Sequence, residues 1–242
     1  MHASNKPARP ERAAAAMAGP HGAAVLQLWH GAIGHTVRCV PTRRTVSVAD
    51  GAAVLFAKWR RGHARAAAAE WHWLHVLPLL GLAAPAPVAW LARGRRSLLI
   101  TEAVAGRALD AWAVDAAAEG WFGELVDYAC TQVAPRIATL HRRGLVYRDL
   151  YWNHLFVGDP RRGEAPTFLD VERVFAPKWR FERWVVKDLA GLWASAPAVA
   201  SPRAALRFVR AYCGGSLRGR RRWLRAIAAK AARIRRHVPR YG

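Results

Sequence analysis

The 242-residue sequence predicts an α+β chain: a small antiparallel sheet with one helix, followed by a larger helical part. Three observations carry that reading. Between residues 34 and 60, short β-branched and apolar runs flank Ala49-Asp50-Gly51, a hairpin signal. A second strand pair, Val88 to Leu91 and Ser97 to Thr101, is joined by Arg93-Gly94-Arg95-Arg96. Beyond residue 105 the pattern turns mainly helical, and no internal repeat interrupts it.

Taken in order, residues 1–22 read as a flexible Ala/Pro-rich tail. The alanines at 13 to 16 are followed by Gly19-Pro20 and Gly22, which break a signal-peptide pattern. Strands are expected at Gly34 to Val40, Thr45 to Val48 and Ala53 to Trp59. A helix over 63–80 is closed by Gly81, and Pro85-Ala86-Pro87 leads into the second strand pair. Glu102 to Gly106 reads as a connector. Helices follow at 108–118, 121–143, 183–196, 202–213 and 218–236. The domain division is therefore 1–22 tail, 23–104 sheet-bearing part, and 105–242 helical part with a basic C-terminal helix. In that last helix Trp223, Leu224, Ile227, Ala231 and Ile234 recur at helical spacing among arginines. It either packs on the helical part or lies on a membrane surface.

Composition narrows the class. An apolar fraction of 53% with twelve Trp excludes a disordered chain. The three cysteines, 39, 130 and 213, form no Cys-x-x-Cys pair, which argues against a zinc site or disulfide framework and fits a reducing cytoplasm. No run of about 18 uncharged apolar residues suggests a spanning helix. The net charge is +22, with thirteen Lys or Arg and no acid after Asp188. Codon bias explains Arg over Lys but not the scarcity of acids. Such a surface favours nucleic acid, acidic lipid head groups or phosphorylated saccharide.

The motifs point to phosphoryl transfer. Tyr147-Arg148-Asp149-Leu150-Tyr151-Trp152-Asn153-His154 follows the helix-like stretch ending Leu140-His141-Arg142-Arg143-Gly144. Transfer needs one carboxylate to orient the attacking hydroxyl and separate groups to hold Mg²⁺ on the nucleotide. Asp149 supplies the first. His154, five residues on, is the candidate metal ligand, with Asn153 as its competitor one residue out of register. Asp170 closes the apolar run Thr167-Phe168-Leu169 and is a second metal carboxylate. Lys58 sits in an apolar strand of a chain with only five lysines, where a compact ammonium is wanted rather than a planar fork. Glu70, twelve residues on in an Ala-rich helical stretch, is its partner. An isolated Arg-Asp is commonplace in so Arg-rich a chain; the order Lys, Glu, loop Asp, strand-end Asp is what gives it weight.

From about Val37 to Ser195 the chain resembles the bacterial lipopolysaccharide kinases of the Kdo/heptose kinase family, within the protein-kinase-like superfamily. Arg148-Asp149-Leu150-Tyr151 with His five past the Asp, and Asp170-x-x-Arg173 in place of Asp-Phe-Gly, discriminate it best. Lys58, Glu70-Trp71, Leu99-Ile100-Thr101-Glu102 and Lys187-Asp188-Leu189-Ala190 agree. The resemblance implies a two-lobed kinase-like fold with an antiparallel-sheet N-lobe and a helical C-lobe. It implies an ATP- and Mg²⁺-dependent enzyme in which Asp149 orients or deprotonates the acceptor hydroxyl and Asp170 ligates Mg²⁺. His154 takes the second metal position, and Lys58 holds the α/β-phosphates and pairs with Glu70. The backbone at Glu102 and Val104 meets the adenine, and Asp188 braces the loop. Where a Gly-x-Gly-x-x-Gly is usual, this chain has Pro41-Thr42-Arg43-Arg44, whose amides and arginines would cover the phosphates.

The expected activity is phosphorylation of a sugar hydroxyl of the lipopolysaccharide inner core at the cytoplasmic face of the inner membrane. The expected partner is an anionic glycolipid precursor, with peripheral contact to anionic membrane and no specific nucleic acid. Two alternatives stand beside it. One is a protein Ser/Thr kinase or small-molecule phosphotransferase of the same fold; the other is a basic nucleic-acid-binding protein or inactive kinase-like scaffold.

Overall fold

Residues 18–62 and 64–236 are described by a computed structural model, with backbone only at 64–66. Residues 1–17 of the expected tail, residue 63 of the expected helix and residues 237–242 lie outside the described residues. The chain divides into two compact units. One holds the chain up to Val76 together with Pro85–Val104; the other holds Leu77–Ala84 and the chain from Ala105 on.

In the first unit a helix, α1 (Gly22–His30), precedes the sheet and begins within the stretch read as tail. Ala24, Val25 and Leu28 share one side of it and are buried. Six of its nine residues are apolar but they run almost continuously, with Leu26 left exposed, so no helical stripe stands out in the sequence and the sheet the helix covers decides it. That sheet has strands β1 (His35–Val40), β2 (Arg43–Asp50), β3 (Ala53–Arg61), β4 (Pro87–Arg93) and β5 (Arg96–Glu102), in the order β1-β2-β3-β5-β4. All neighbours are antiparallel. The strands run past their apolar segments because the ladder extends to the turns: Arg43 pairs with Val40, and Asp50 with Ala53.

Side chains alternate across a strand. Leu55 and Ala57 of β3 therefore join Val46, Leu98, Ile100 and α1 in one core. Lys58 and Arg60 cannot both alternate with Ala57 and share that core; they point to the other face. Lys58 pairs in register with Thr45 on β2 and Leu99 on β5, at the centre of the sheet. Helix α2 (Ala64–Leu79) carries Glu70 and buries Leu74. Pro78 stands in its last turn, and Gly81, at φ 77°, ends it by donating to the Pro78 carbonyl at 3.0 Å.

The second unit begins with the segment Leu77–Ala84. It belongs there because Leu77 and Leu82 are buried and the Ala83 carbonyl accepts from Phe168 N at 2.8 Å. A short strand, β6 (Arg107–Ala108), pairs with β7 (Leu155–Val157), which pairs with β8 (Thr167–Phe168). Gly106 permits that pairing: a Cβ there would lie 2.1 Å from the Val157 carbonyl oxygen. Helices α3 (Leu109–Ala118), α4 (Phe122–Tyr128) and α5 (Ala134–Arg142) follow.

The single helix expected over 121–143 is thus interrupted. A π turn at Ala129–Val133 separates α4 from α5. Pro135 offers no N–H and its ring crowds the Thr131 carbonyl, so the coil widens just before it.

Three more helices complete the unit: α6 (Phe181–Ser195), α7 (Pro202–Tyr212) and α8 (Arg221–Arg236). Ser201 caps α7, its hydroxyl accepting from Ala204 N at 3.2 Å. Helix α8 packs on α6, with Ile227 and Ala231 buried. Burying such an Ile is worth about 2 kcal/mol. Arg235 also donates to the Trp193 carbonyl at 2.6 Å. The basic terminal helix is therefore a packed element whose arginine face is exposed. No helix among the described residues is long and apolar enough to cross a membrane. Leu140, Tyr147, Leu150, Phe168, Val171 and Leu189, in and around the segment that holds Asp149, are all buried.

Candidate active site

In the first unit, Lys58 Nζ donates to Glu70 Oε1 at 2.5 Å, the pair expected from spacing. The sequence reading missed Arg60, whose Nη2 reaches Glu70 Oε2 at 3.2 Å. Residues 58 and 60 share a strand face, so one carboxylate from α2 can meet both. The signal for Arg60 was that period of two, lost among so many arginines. Glu70 is 2% exposed and Arg60 7%, so this is a buried charge cluster in which removing one member is costly. It fixes the Lys58 ammonium rigidly.

Glu102 and Val104 stand at the end of β5. The Glu102 N–H is committed to the Ala86 carbonyl at 2.9 Å, and Ala103 N–H to Val54 at 2.7 Å. Among the described residues the Val104 N–H makes no hydrogen bond. A ligand ring could thus meet the Val104 amide, and Glu102 only through its carbonyl. The Arg44 guanidinium lies 5.8 Å from the Trp59 ring centre and donates to Thr36 Oγ1 at 3.1 Å. Trp59 is on the face opposite Lys58, so Arg44 does not cover the Lys58 side as expected.

In the second unit, α5 ends at Arg142 and Gly144 turns the chain at φ 74°. A bridge between Val146 and Phe175 then starts the loop. Asp188 on α6 is fully buried and accepts from Tyr147 N at 2.6 Å and Arg148 N at 2.7 Å. His141 Nε2 lies 3.2 Å from the same carboxylate, and His141 Nδ1 lies 2.9 Å from the Tyr212 hydroxyl. Arg148 is held at φ 76°, a region L residues avoid.

That scaffold directs Asp149. Its Oδ2 accepts from Arg173 Nη1 at 2.7 Å, and its Oδ1 lies 3.7 Å from Lys187 Nζ. Lys187 Nζ also donates to the Arg148 carbonyl at 2.5 Å. Burial lowers the Lys187 pKa from its usual 10.5, partly offset by the nearby Asp149 charge. Oδ2 is occupied by a short charge-assisted bond; Oδ1 keeps capacity to accept a proton from a ligand hydroxyl. Arg173 and Lys187 carried no site assignment in the sequence reading. Their approach depends on how the turn after Asp170 and helix α6 fold back on the loop.

His154 Nδ1 lies 2.8 Å from the Asp149 carbonyl oxygen. A carbonyl only accepts, so Nδ1 carries a proton, and Nε2 is the ring atom that a ligand would meet. Asn153 is exposed and makes no side-chain hydrogen bond among the described residues. Leu169 N donates to the His154 carbonyl at 2.8 Å, and the Tyr147 hydroxyl donates to the Leu169 carbonyl. These bonds seat Asp170, which takes a left-handed conformation at φ 56°, two residues past the end of β8. A carboxylate oxygen of Glu172 lies within 4.8 Å of one on Asp170. Glu172, unassigned from sequence, thus joins Asp170 as a hard oxygen donor. Such a pair fits Mg²⁺, for which imidazole nitrogen is the poorer ligand.

The model of the lipopolysaccharide kinase (Kdo/WaaP) family matches residues 56–212. Among solved structures the chain is similar to WaaP in complex with acyl carrier protein. Identity is 26% over 87% of this chain and 91% of that one, with a TM-score of 0.72. An aminoglycoside-3'-phosphotransferase of type VIII shares the fold at 18% identity and a TM-score of 0.57, over 87% of this chain and 99% of that one. A comparison with curated proteins gives no match. The α+β, protein-kinase-like fold expected from sequence is the fold observed, with its antiparallel sheet in the first unit.

Proposed function

This chain belongs to the lipopolysaccharide kinase (Kdo/WaaP) family and is a phosphotransferase of the kinase class. On that premise we propose that it phosphorylates a sugar hydroxyl, on Kdo or heptose, of the lipopolysaccharide inner core, using Mg-ATP. The single observation that carries the reading is Asp149. Its carboxylate is fixed between Arg173 and Lys187, on a loop whose amides are held by buried Asp188.

In the proposed reaction the acceptor oxygen attacks the γ-phosphorus, the bond to the β–γ bridging oxygen breaks, and ADP leaves. The hydroxyl proton passes to Asp149 Oδ1. Lys58 holds the α/β-phosphates, with Glu70 and Arg60 fixing its position. The Val104 amide and the Glu102 carbonyl receive the adenine. Asp170 and Glu172 would hold Mg²⁺, and Nε2 of His154 would offer a second metal position; the bound ion would supply positive charge against the phosphates. Arg173 and Lys187 keep the Asp149 carboxylate aimed without spending Oδ1.

The acceptor would be met at the cytoplasmic face of the inner membrane, where the exposed arginines of α8 suit an anionic surface. The likeness to a WaaP structure in complex with acyl carrier protein supports a further partner to test, an acyl carrier protein.

The test is Mg²⁺-dependent transfer of labelled γ-phosphate from ATP to purified inner-core lipopolysaccharide precursor. Transfer should drop roughly 10²–10⁴-fold in Asp149→Asn, the range for a lost general base. Near-normal transfer in that variant would sink the role of Asp149. No transfer with retained Mg-ATP binding would move the acceptor to a protein or a small molecule.

A further inference from the structure

The second unit carries an open cleft of about 510 Å³ between α6 and α8, beside the Asp149 loop. Its charged lining is entirely cationic: Arg148, Arg183 and Lys187 on one side, Lys230 and Arg233 on the other. Trp184 forms part of the wall. The spacing explains the arrangement. Residues 183 and 187 are one turn apart on α6, and 226, 230 and 233 follow one face of α8. Ala226 and Ala229 on that face leave room, while Ile227 and Ala231 are buried.

Among the described residues, Arg148, Arg183, Lys230 and Arg233 form no ion pair. Five cations around one cleft repel one another, and no acidic residue stands in its lining. The Arg148 guanidinium and the Lys187 ammonium each lie 5.9 Å from the Trp184 ring centre, and Lys187 also has Asp149 beside it, so the repulsion is eased for those two and not for Arg183, Lys230 and Arg233. A site so built gains most from a ligand that brings negative charge. Its size suits a small saccharide. Its edge is the candidate catalytic carboxylate: Lys187 lines the cleft and stands 3.7 Å from Asp149 Oδ1.

We infer that this cleft is the acceptor's anion subsite, gripping a phosphate or carboxylate substituent of the saccharide so that a neighbouring hydroxyl meets Asp149. The assignment rests on the proposed function for the identity of the acceptor, but not for the anion binding itself. Arg148 and Lys187 take the substituent nearest the loop, and Arg183, Lys230 and Arg233 take charge further out. Acceptors without an anionic group next to the reacting sugar are then poor substrates.

The test uses the full chain with Arg183→Gln, Lys230→Gln and Arg233→Gln combined, and Lys230→Arg as the charge-preserving control. Binding is read without turnover, on an Asp149→Asn background. The probes are inorganic pyrophosphate, purified inner-core lipopolysaccharide precursor, and the same precursor after phosphatase treatment or carboxyl reduction. The triple variant should bind pyrophosphate and precursor at least about tenfold more weakly, as expected for lost charge-assisted bonds, and Lys230→Arg should restore its share. Phosphatase treatment and carboxyl reduction tell which substituent is gripped, since only removal of that one should weaken binding to the unaltered cleft. In the active background the KM for precursor should rise similarly. Unchanged precursor binding in the triple variant, or an equal rise in the KM for ATP, would overturn the assignment. Cleft-dependent binding without any transfer would leave the subsite standing and remove the proposed reaction instead.

Discussion

Asp188 holds Arg148 in a backbone conformation that an arginine does not adopt unaided: Oδ1 accepts from Arg148 N at 2.7 Å while Arg148 sits at φ 76°. A left-handed non-glycine residue costs about 1–3 kcal/mol. The same carboxylate takes Tyr147 N, and Lys187 takes the Arg148 carbonyl. The strained residue is thus tied at both ends, and the next residue, Asp149, inherits a fixed direction.

Replacing Asp188 with Ala strands one buried and one part-buried amide donor. Stability should fall by about 2–6 kcal/mol, since each unsatisfied group costs about 1–3. Urea unfolding would measure it. A loss of only a few tenths would mean that the amides find other partners and that Asp188 is not the brace.

Glu70→Ala removes the carboxylate shared by Lys58 and Arg60. Truncating one member of a buried ion pair costs about 3–5 kcal/mol, and the KM for ATP should rise together with that loss. Lys58→Met should lower turnover much more than stability. Equal stability losses in the two variants would assign the cluster to folding alone.

With Asp170→Asn the Mg²⁺ concentration for half-maximal rate should rise by roughly tenfold or more, as for a lost ligand. Glu172→Gln should move it in the same direction by less. Metal-free nucleotide binding is the control. A Glu172→Gln curve superimposed on wild type would remove Glu172 from the metal set.

Lys187 yields a pH signature. Its pKa is lowered chiefly by burial, so its charge is lost below the usual 10.5 of an exposed lysine. Rate should therefore fall on the alkaline side with an apparent pKa under 10.5, as the cation beside Asp149 disappears. Stability runs the other way: the unfolded state binds more protons between the lowered and the ordinary pKa, so this group's contribution rises with pH there. Lys187→Arg should abolish the alkaline step in rate. A step that persists in that variant belongs to another group.

Much of this architecture was legible in the residues because the relevant signals are local. A strand pattern around Asp50-Gly51 and a helical pattern around Glu70 are short-range, and so is the distance that brings Lys58 to Glu70. Helix α1 was not legible: its apolar residues form no clear helical stripe, and which of them are buried depends on a sheet formed by strands far along the chain. The break between α4 and α5 was readable in principle from Pro135, but an otherwise continuous helical pattern masked it.

The sequence alone determined the order of the chemistry-bearing groups, the mixed sheet-and-helix class and the excess of positive charge, since all three follow from residue types and their spacing. Only the tertiary structure decided which cation meets which carboxylate. Arg173 at Asp149, Arg60 at Glu70 and the α6–α8 cleft join residues from separate elements. With 38 Lys and Arg to choose from, composition leaves such pairings degenerate, and packing of α6, α8 and the sheet selects among them.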